Sequence, residues 1–153
     1  MKLIIDTLQE ISKNFIDLSD SCSSDIHIAA DIIIDSLSSG GKVMFCGNGG
    51  SAADSQHLSA ELVGRYIKDR KPLASVALTT DTSIITAVSN DFSFDNIFSR
   101  QIESIGNEND VLYAISTSGK SKNIITALEK ARFMKIRTIG VTGNNNNDEI
   151  IDL

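Results

Sequence analysis

The run Ser116-Thr117-Ser118-Gly119-Lys120-Ser121 gathers four hydroxyls, a glycine and a cation into consecutive positions. It follows an apolar run and opens a helical pattern. Backbone N–H groups and the positive end of a helix dipole would therefore stand beside the hydroxyls. That combination suits an anion, and a phosphate dianion needs no dedicated arginine there. The alternative is a polar turn with a capping serine. Gly-Lys-Ser invites a P-loop reading, but the first glycine of that motif would fall at Ala114, which excludes it.

A second loop, Gly47-Asn48-Gly49-Gly50-Ser51-Ala52, also follows an apolar run. It fits the relaxed dinucleotide pattern G-x-G-x-x-A, a weak signal alone. That reading wants an acid about 20 residues on, and Asp81 lies well beyond. Asn48, Gly49 and Gly50 would in any case let the backbone approach a ligand closely. A tight strand-to-helix turn explains the same residues.

Asp54, His57, Glu61 and Arg65 recur at spacings of three, four and four, which makes one stripe on a helix. Ala53, Ala60 and Val63 fall on another face. His57 and Glu61, at i and i+4, could share a metal ion. Glu61 could instead serve as a general base if burial raised its pKa. A solvated polar face is the plain alternative, but the stripe begins at a candidate ligand loop. Asn90 and Asp91, in Ser-Asn-Asp-Phe, could turn the chain or bond sugar hydroxyls; their types favour the turn.

The elements that must position these groups can be read from the same chain. Its 153 residues fit one domain. Six Phe, two Tyr and no Trp mean a core built from aliphatic side chains. The net charge of −6 opposes nucleic acid or an anionic membrane as partner. Cys22 and Cys46 have no metal or disulfide spacing, and Cys46 reads as a buried free thiol in a reducing compartment. The N-terminal segment carries Asp6, Glu10 and Lys13, so it is no signal peptide. No apolar run nears the roughly 20 residues that span a bilayer. A soluble cytoplasmic protein is expected.

Periodicity predicts helices over 2–19 and Asp25–Leu37, the latter ending at Gly40–Gly41. Strands are predicted at Lys42–Cys46, Leu73–Leu78, Asp110–Ile115 and Ile136–Val141. Helices are predicted at Ser51–Tyr66, Ser83–Val88 with Asp81 as cap, Phe94–Ile105 and Ser121–Met134. Alternating strands and helices imply a parallel sheet with right-handed crossovers. Both small-residue loops then lie at carboxyl ends of strands, where open α/β sheets bind ligands. In the tail, Gly143–Leu153, the Asn run reads as a loop, and Ile150, Ile151 and Leu153 as the start of a further element.

These loops together resemble a known family. C-G-N-G-G-S-A-A-D-S-Q-H at 46–57, E-L-V-G-R-Y at 61–66, S-N-D-F at 89–92, F-S-R at 98–100 and I-S-T-S-G-K-S at 115–121 are similar to the phosphoheptose isomerases of the sugar-isomerase (SIS) superfamily. The resemblance runs from the N-terminal helices to the fourth strand. It implies a single SIS domain over 1–153: an N-terminal helical arm at 1–39, then a three-layer α/β/α core at 40–153 with a parallel flavodoxin-like sheet. It also implies a C-terminal strand and helix that this sequence does not reach. The implied assembly is a homotetramer. The implied reaction converts sedoheptulose 7-phosphate to D-glycero-D-manno-heptose 7-phosphate, toward lipopolysaccharide or capsule.

Carried over by position, Ser116, Thr117, Ser118 and Ser121 would take the phosphate, Asn48, Gly49 and Gly50 would line the sugar, and Asn90 and Asp91 would contact it from the other side. His57 and Glu61 match the family's zinc ligands, one Zn2+ per subunit, and Glu61 matches the proton-moving carboxylate. The family's partner acid is a His on a C-terminal helix, with a Gln one to two turns before it. His27 matches neither. The competing reading is a non-catalytic SIS module, either a phosphosugar sensor or a relative of the tether of the bacterial replication initiator. Those tethering relatives lack the carboxylate that stands here at Glu61.

Overall fold

Among the described residues, short apolar runs bounded by glycine and polar residues become four strands: β1 (Val43–Gly47), β2 (Ser75–Ala77), β3 (Val111–Ser116) and β4 (Arg137–Thr142). The computed structural model describes residues 1–143. The expected Asn loop and the apolar Ile150, Ile151 and Leu153 lie outside the described residues.

All strands pair in parallel, in the order β2-β1-β3-β4. Every residue of β1 is buried, as a central parallel strand covered on both faces requires. The strand period of two sorts its side chains. Met44 and Cys46 join Leu112 and Ala114 in a core with Phe98, Ile102, Ile124 and Leu128. Phe45 and Tyr113 lie on the other face, with ring centroids 5.3 Å apart. Burial pushes the Cys46 thiol well above its ordinary value and raises the Tyr113 phenol.

The amino ends of β1 and β3 are tied by one carboxylate. Asp110, 2% exposed, accepts from the backbone N–H groups of Lys42 at 2.9 Å and Asn107 at 2.7 Å. It also pairs with Lys42 Nζ at 2.6 Å.

Between the strands run α2 (Gly50–Val63), α3 (Thr82–Asp91), a 3-10 turn at Phe94–Asn96, α4 (Ser99–Ile105) and α5 (Lys122–Phe133). Asp81 caps α3 as expected, accepting from the Ile84 N–H at 2.9 Å. The helix expected over 94–105 is instead divided into the 3-10 turn and α4, with the Ser93 side chain bonded to the Asp95 N–H at 3.2 Å.

The chain separates into two compact units, Met1–Ile32 and the part from Ile33 onward. Two helices are expected before the first strand, but one continuous helix, α1 (Lys2–Ser38), is found. The serine-rich stretch from Ser19 to Ser24 contains no Gly or Pro to stop it. The Ser19, Ser21 and Ser23 hydroxyls donate back to carbonyls of the preceding turn and so remain within the helix. Within Met1–Ile32, Leu3, Ile4, Leu8, Ile11, Phe15 and Leu18 are all exposed at helical spacing. Among the described residues no helix is long and apolar enough to cross a membrane.

Candidate active site

Strand order locates the ligand crevice. From β1 the chain winds outward to β2, and from β3 it winds the opposite way to β4. The crevice between the carboxyl ends of β1 and β3 is therefore the topological switch point. Gly47 pairs with Ile115 across it, so the glycine loop and the serine loop lie side by side.

The glycine loop needs glycine at Gly47 and Gly49. A Cβ on Gly47 would meet the Ser51 carbonyl oxygen at 2.5 Å, so the strand can turn into α2 only without one. Gly49 has φ +56° and caps α2. A Cβ on Gly49 or Gly50 would meet nothing within 4 Å, so both leave their backbone open.

The serine loop closes as a turn in which Gly119, at φ +66°, donates its N–H to the Ser116 carbonyl at 3.0 Å. Ser116, 4% exposed, donates its hydroxyl to Ser121 Oγ at 3.1 Å. The Ser118 hydroxyl accepts from the Lys120 N–H at 3.2 Å, and Thr117 and Ser118 are exposed. Ser121 caps α5 by position while its side chain makes no capping bond. Hydroxyls, backbone N–H groups and the α5 dipole thus converge, as an anion site requires.

The two loops are joined by a residue that spacing did not single out. Asn48 Nδ2 donates to Asn123 Oδ1 at 2.9 Å, and Asn123 Nδ2 donates to Asn48 Oδ1 at 2.9 Å.

Glu61 lies at the far end of α2, roughly 16 Å along the axis from Gly50 at 1.5 Å per residue. Its Oε1 stands 3.7 Å from His57 Nε2. Its Oε2 is buried and has no hydrogen-bond partner among the described residues. A cavity of about 480 Å³ opens there, lined among others by Phe45, His57, Glu61, Tyr66, Arg70 and Tyr113. His57 itself is largely exposed, with 73% of its side chain accessible.

Arg65 does not extend the stripe. Gly64 ends α2, donating its N–H to the Ala60 carbonyl at 2.8 Å, and Arg65 lies beyond it. Arg70 closes this helix end instead: its guanidinium donates to the carbonyls of Glu61 and Leu62 at 2.9 Å each. The face of α2 that meets the sheet is also not an apolar one. Ser55 and Ser59 are buried, whereas Ala53, Ala60 and Val63 are exposed.

Asn90 and Asp91 form the last residues of α3 rather than a turn, and both are exposed. Asn90 Nδ2 donates to Asp91 Oδ1 at 2.8 Å. Among the described residues no hydrogen bond joins them to either loop. The structure therefore brings Asn48, Gly49, Gly50, Ser116, Thr117, Ser118 and Ser121 together, sets His57 and Glu61 as a pair elsewhere on α2, and leaves Asn90 and Asp91 on a third element.

The fit to zinc can be tested on the His57–Glu61 pair. An imidazole and a carboxylate one helical turn apart, with one carboxylate oxygen orphaned, suit two positions of a tetrahedral site. Among the described residues no cluster of three or more His, Cys, Asp or Glu completes it.

The SIS domain family matches residues 7–143. A phosphoheptose isomerase of Rhodospirillum rubrum is 58% identical over 129 residues, covering 84% of this chain and 68% of that protein. One from Akkermansia muciniphila is 54% identical over 133 residues, covering 87% and 70%. The chain belongs to the phosphoheptose isomerase family. It spans a little over two thirds of the length of these relatives. A solved phosphoheptose isomerase from Neisseria gonorrhoeae superposes with a TM-score of 0.92 at 38% identity, covering 99% of this chain and 79% of the other. One from Francisella tularensis gives 0.91 at 36% identity, covering 95% and 76%. Membership of the phosphoheptose isomerases bears out the parallel flavodoxin-like sheet implied by the sequence resemblance.

Proposed function

We propose that this chain isomerises sedoheptulose 7-phosphate to D-glycero-D-manno-heptose 7-phosphate. The observation that carries the reading is Glu61: a buried carboxylate oxygen with no partner among the described residues, in a chain of this family. Leaving such an atom unsatisfied is costly, and a reacting proton or a metal supplies the missing partner.

The ketose must lose a proton from C1 and gain one at C2, while a hydroxyl proton passes from O1 to O2. Between these steps lies an enediolate, whose charge must be stabilised. Ser116, Thr117, Ser118 and Ser121, with the N–H groups opening α5, would hold the phosphate. Asn48 and the open backbone at Gly49 and Gly50 would orient the sugar, with Asn90 and Asp91 as its further contacts. Glu61 would take the C1 proton and return it to C2. His57 and Glu61 would hold Zn2+, which when bound polarises the carbonyl. A His57→Ala variant should then lose bound zinc measured on the intact protein, with its fold retained by circular dichroism; equal zinc content would remove His57 as a ligand.

Glu61 and the serine loop sit apart on one chain, and within Met1–Ile32 α1 carries an exposed apolar stripe. The exposed stripe supports self-association, and the family resemblance makes a tetramer the expected assembly. Phe15→Glu should shift sedimentation to a smaller species; an unchanged profile would exclude the stripe as an interface. Free Cys22 and Cys46 fit a reducing compartment such as the cytoplasm, and kinship with phosphoheptose isomerases fits a role in making heptose precursors for surface polysaccharide. Turnover of sedoheptulose 7-phosphate, with product identified chromatographically, tests the whole reading.

A further inference from the structure

We propose that Asn123 is a positioning residue for this reaction: its reciprocal amide pair with Asn48 couples the serine loop to the glycine loop. The inference rests on the reading above, in which Asn48 meets the sugar and the serine loop meets the phosphate. Asn123 lies in the first turn of α5, immediately after the serine loop, and is 2% exposed. A buried carboxamide is costly unless bonded. Here it is bonded to Asn48, 75 positions away, by two hydrogen bonds of 2.9 Å in opposite senses.

A reciprocal pair does more than a single bond. Two bonds between two planar amides fix both side-chain rotations at once. Each amide spends one N–H and one oxygen lone pair on its partner. Asn48, only half-buried, keeps its second N–H and second lone pair for the crevice. Asn123 therefore decides which way the remaining polar edge of Asn48 faces. The turns themselves do not depend on the pair: Gly119 and Ser51 already close them by backbone bonds to Ser116 and Asn48. What the pair adds is alignment between loops. A phosphate that draws in the serine loop and the start of α5 acts on Asn48 through this link.

The test uses the full chain, Asn123→Ala and Asn123→Asp. With sedoheptulose 7-phosphate, Asn123→Ala should lower kcat/KM roughly 10- to 100-fold, the scale of a misplacement near 1 Å. Asn123→Asp still accepts from Asn48 Nδ2 but cannot donate back, so its loss should be smaller. Side-chain amide NMR with inorganic phosphate as probe supplies the second readout. In the unmodified chain the Asn48 amide peaks should shift with phosphate. In Asn123→Ala they should stop responding, while the Ser118 backbone peak still moves. Asn48 peaks that respond as before, or an unchanged kcat/KM, would reduce Asn123 to a packing residue. Should Asn123→Ala fail to fold, Asn123→Asp carries the same comparison. A chain that binds phosphate but does not turn over sedoheptulose 7-phosphate would overturn the isomerase reading, and the Asn48 shift would still decide the coupling.

Discussion

Replacing Glu61 by Gln should lower kcat for sedoheptulose 7-phosphate by roughly 10²- to 10⁴-fold, the range that a positioned general base supplies. The substitution keeps volume and shape and removes only the charge and the proton-accepting oxygen. It should also leave the fold intact. Among the described residues Glu61 Oε2 has no partner to lose, Oε1 gives up only the exposed His57 at 3.7 Å, and Arg70 holds the Glu61 backbone carbonyl rather than its carboxylate. Stability should be unchanged or slightly higher, because an amide is cheaper to bury than an ionised carboxylate. Exchange of the C1 proton with deuterated solvent gives a second measurement, and it should fall with turnover. Retained turnover in Glu61→Gln would remove this residue as the base and return the chain to a binding role.

The second large effect is expected at the serine loop. Ser118→Ala with Ser121→Ala should reduce kcat/KM roughly 10²- to 10⁴-fold, taking about 1.5–3 kcal/mol for each hydrogen bond to a charged group. Part of the loss should fall on kcat, because binding energy at the remote phosphate helps orient the reacting carbons. The control is the sugar without its phosphate. For unphosphorylated sedoheptulose the double variant and the parent chain should be equally slow. A variant that loses activity equally on both sugars has lost its loop geometry rather than a phosphate contact. Full affinity for the phosphorylated sugar would place the phosphate elsewhere.

Much of the fold was legible because its signals are local. Strands β1, β3 and β4 were found within a residue of their ends. β1 and β3 read as apolar runs because they are largely buried, and β4 was legible from β-branched Thr138, Ile139 and Val141 although its carboxyl half is exposed. Asp81 was recognised as a cap from its type and place. The failures had specific causes. The N-terminal helix read as two because Ser and Asp interrupt the apolar period, yet serine hydroxyls can bond back to their own helix. Arg65 was counted on the α2 stripe because Gly64 was not recognised as its stop. The buried face of α2 escaped notice because it is made of serines. Ser55 bonds to the Ser51 carbonyl at 2.7 Å, and Ser59 accepts from Ser75 at 2.9 Å, so small polar side chains pack there without an unmet bond.

By itself the sequence determined the chemistry on offer. Hydroxyls next to a glycine and a helix start offer anion-binding groups wherever that segment folds, and His57 with Glu61 share a helix face whatever surrounds them. The glycine-rich turn into α2 was likewise legible from Gly47 through Gly50. Tertiary structure alone decided how these pieces meet. The switch point exists only because β1 and β3 pair in register, and no spacing rule links Asn48 to Asn123 across 75 positions. Whether Glu61 Oε2 is bonded or orphaned depends on packing beneath α2, and the guanidinium that holds that helix end comes from a loop that carries no local pattern. Local chemistry follows from residue type and period; pairing follows from strand register and burial, which are properties of the whole chain.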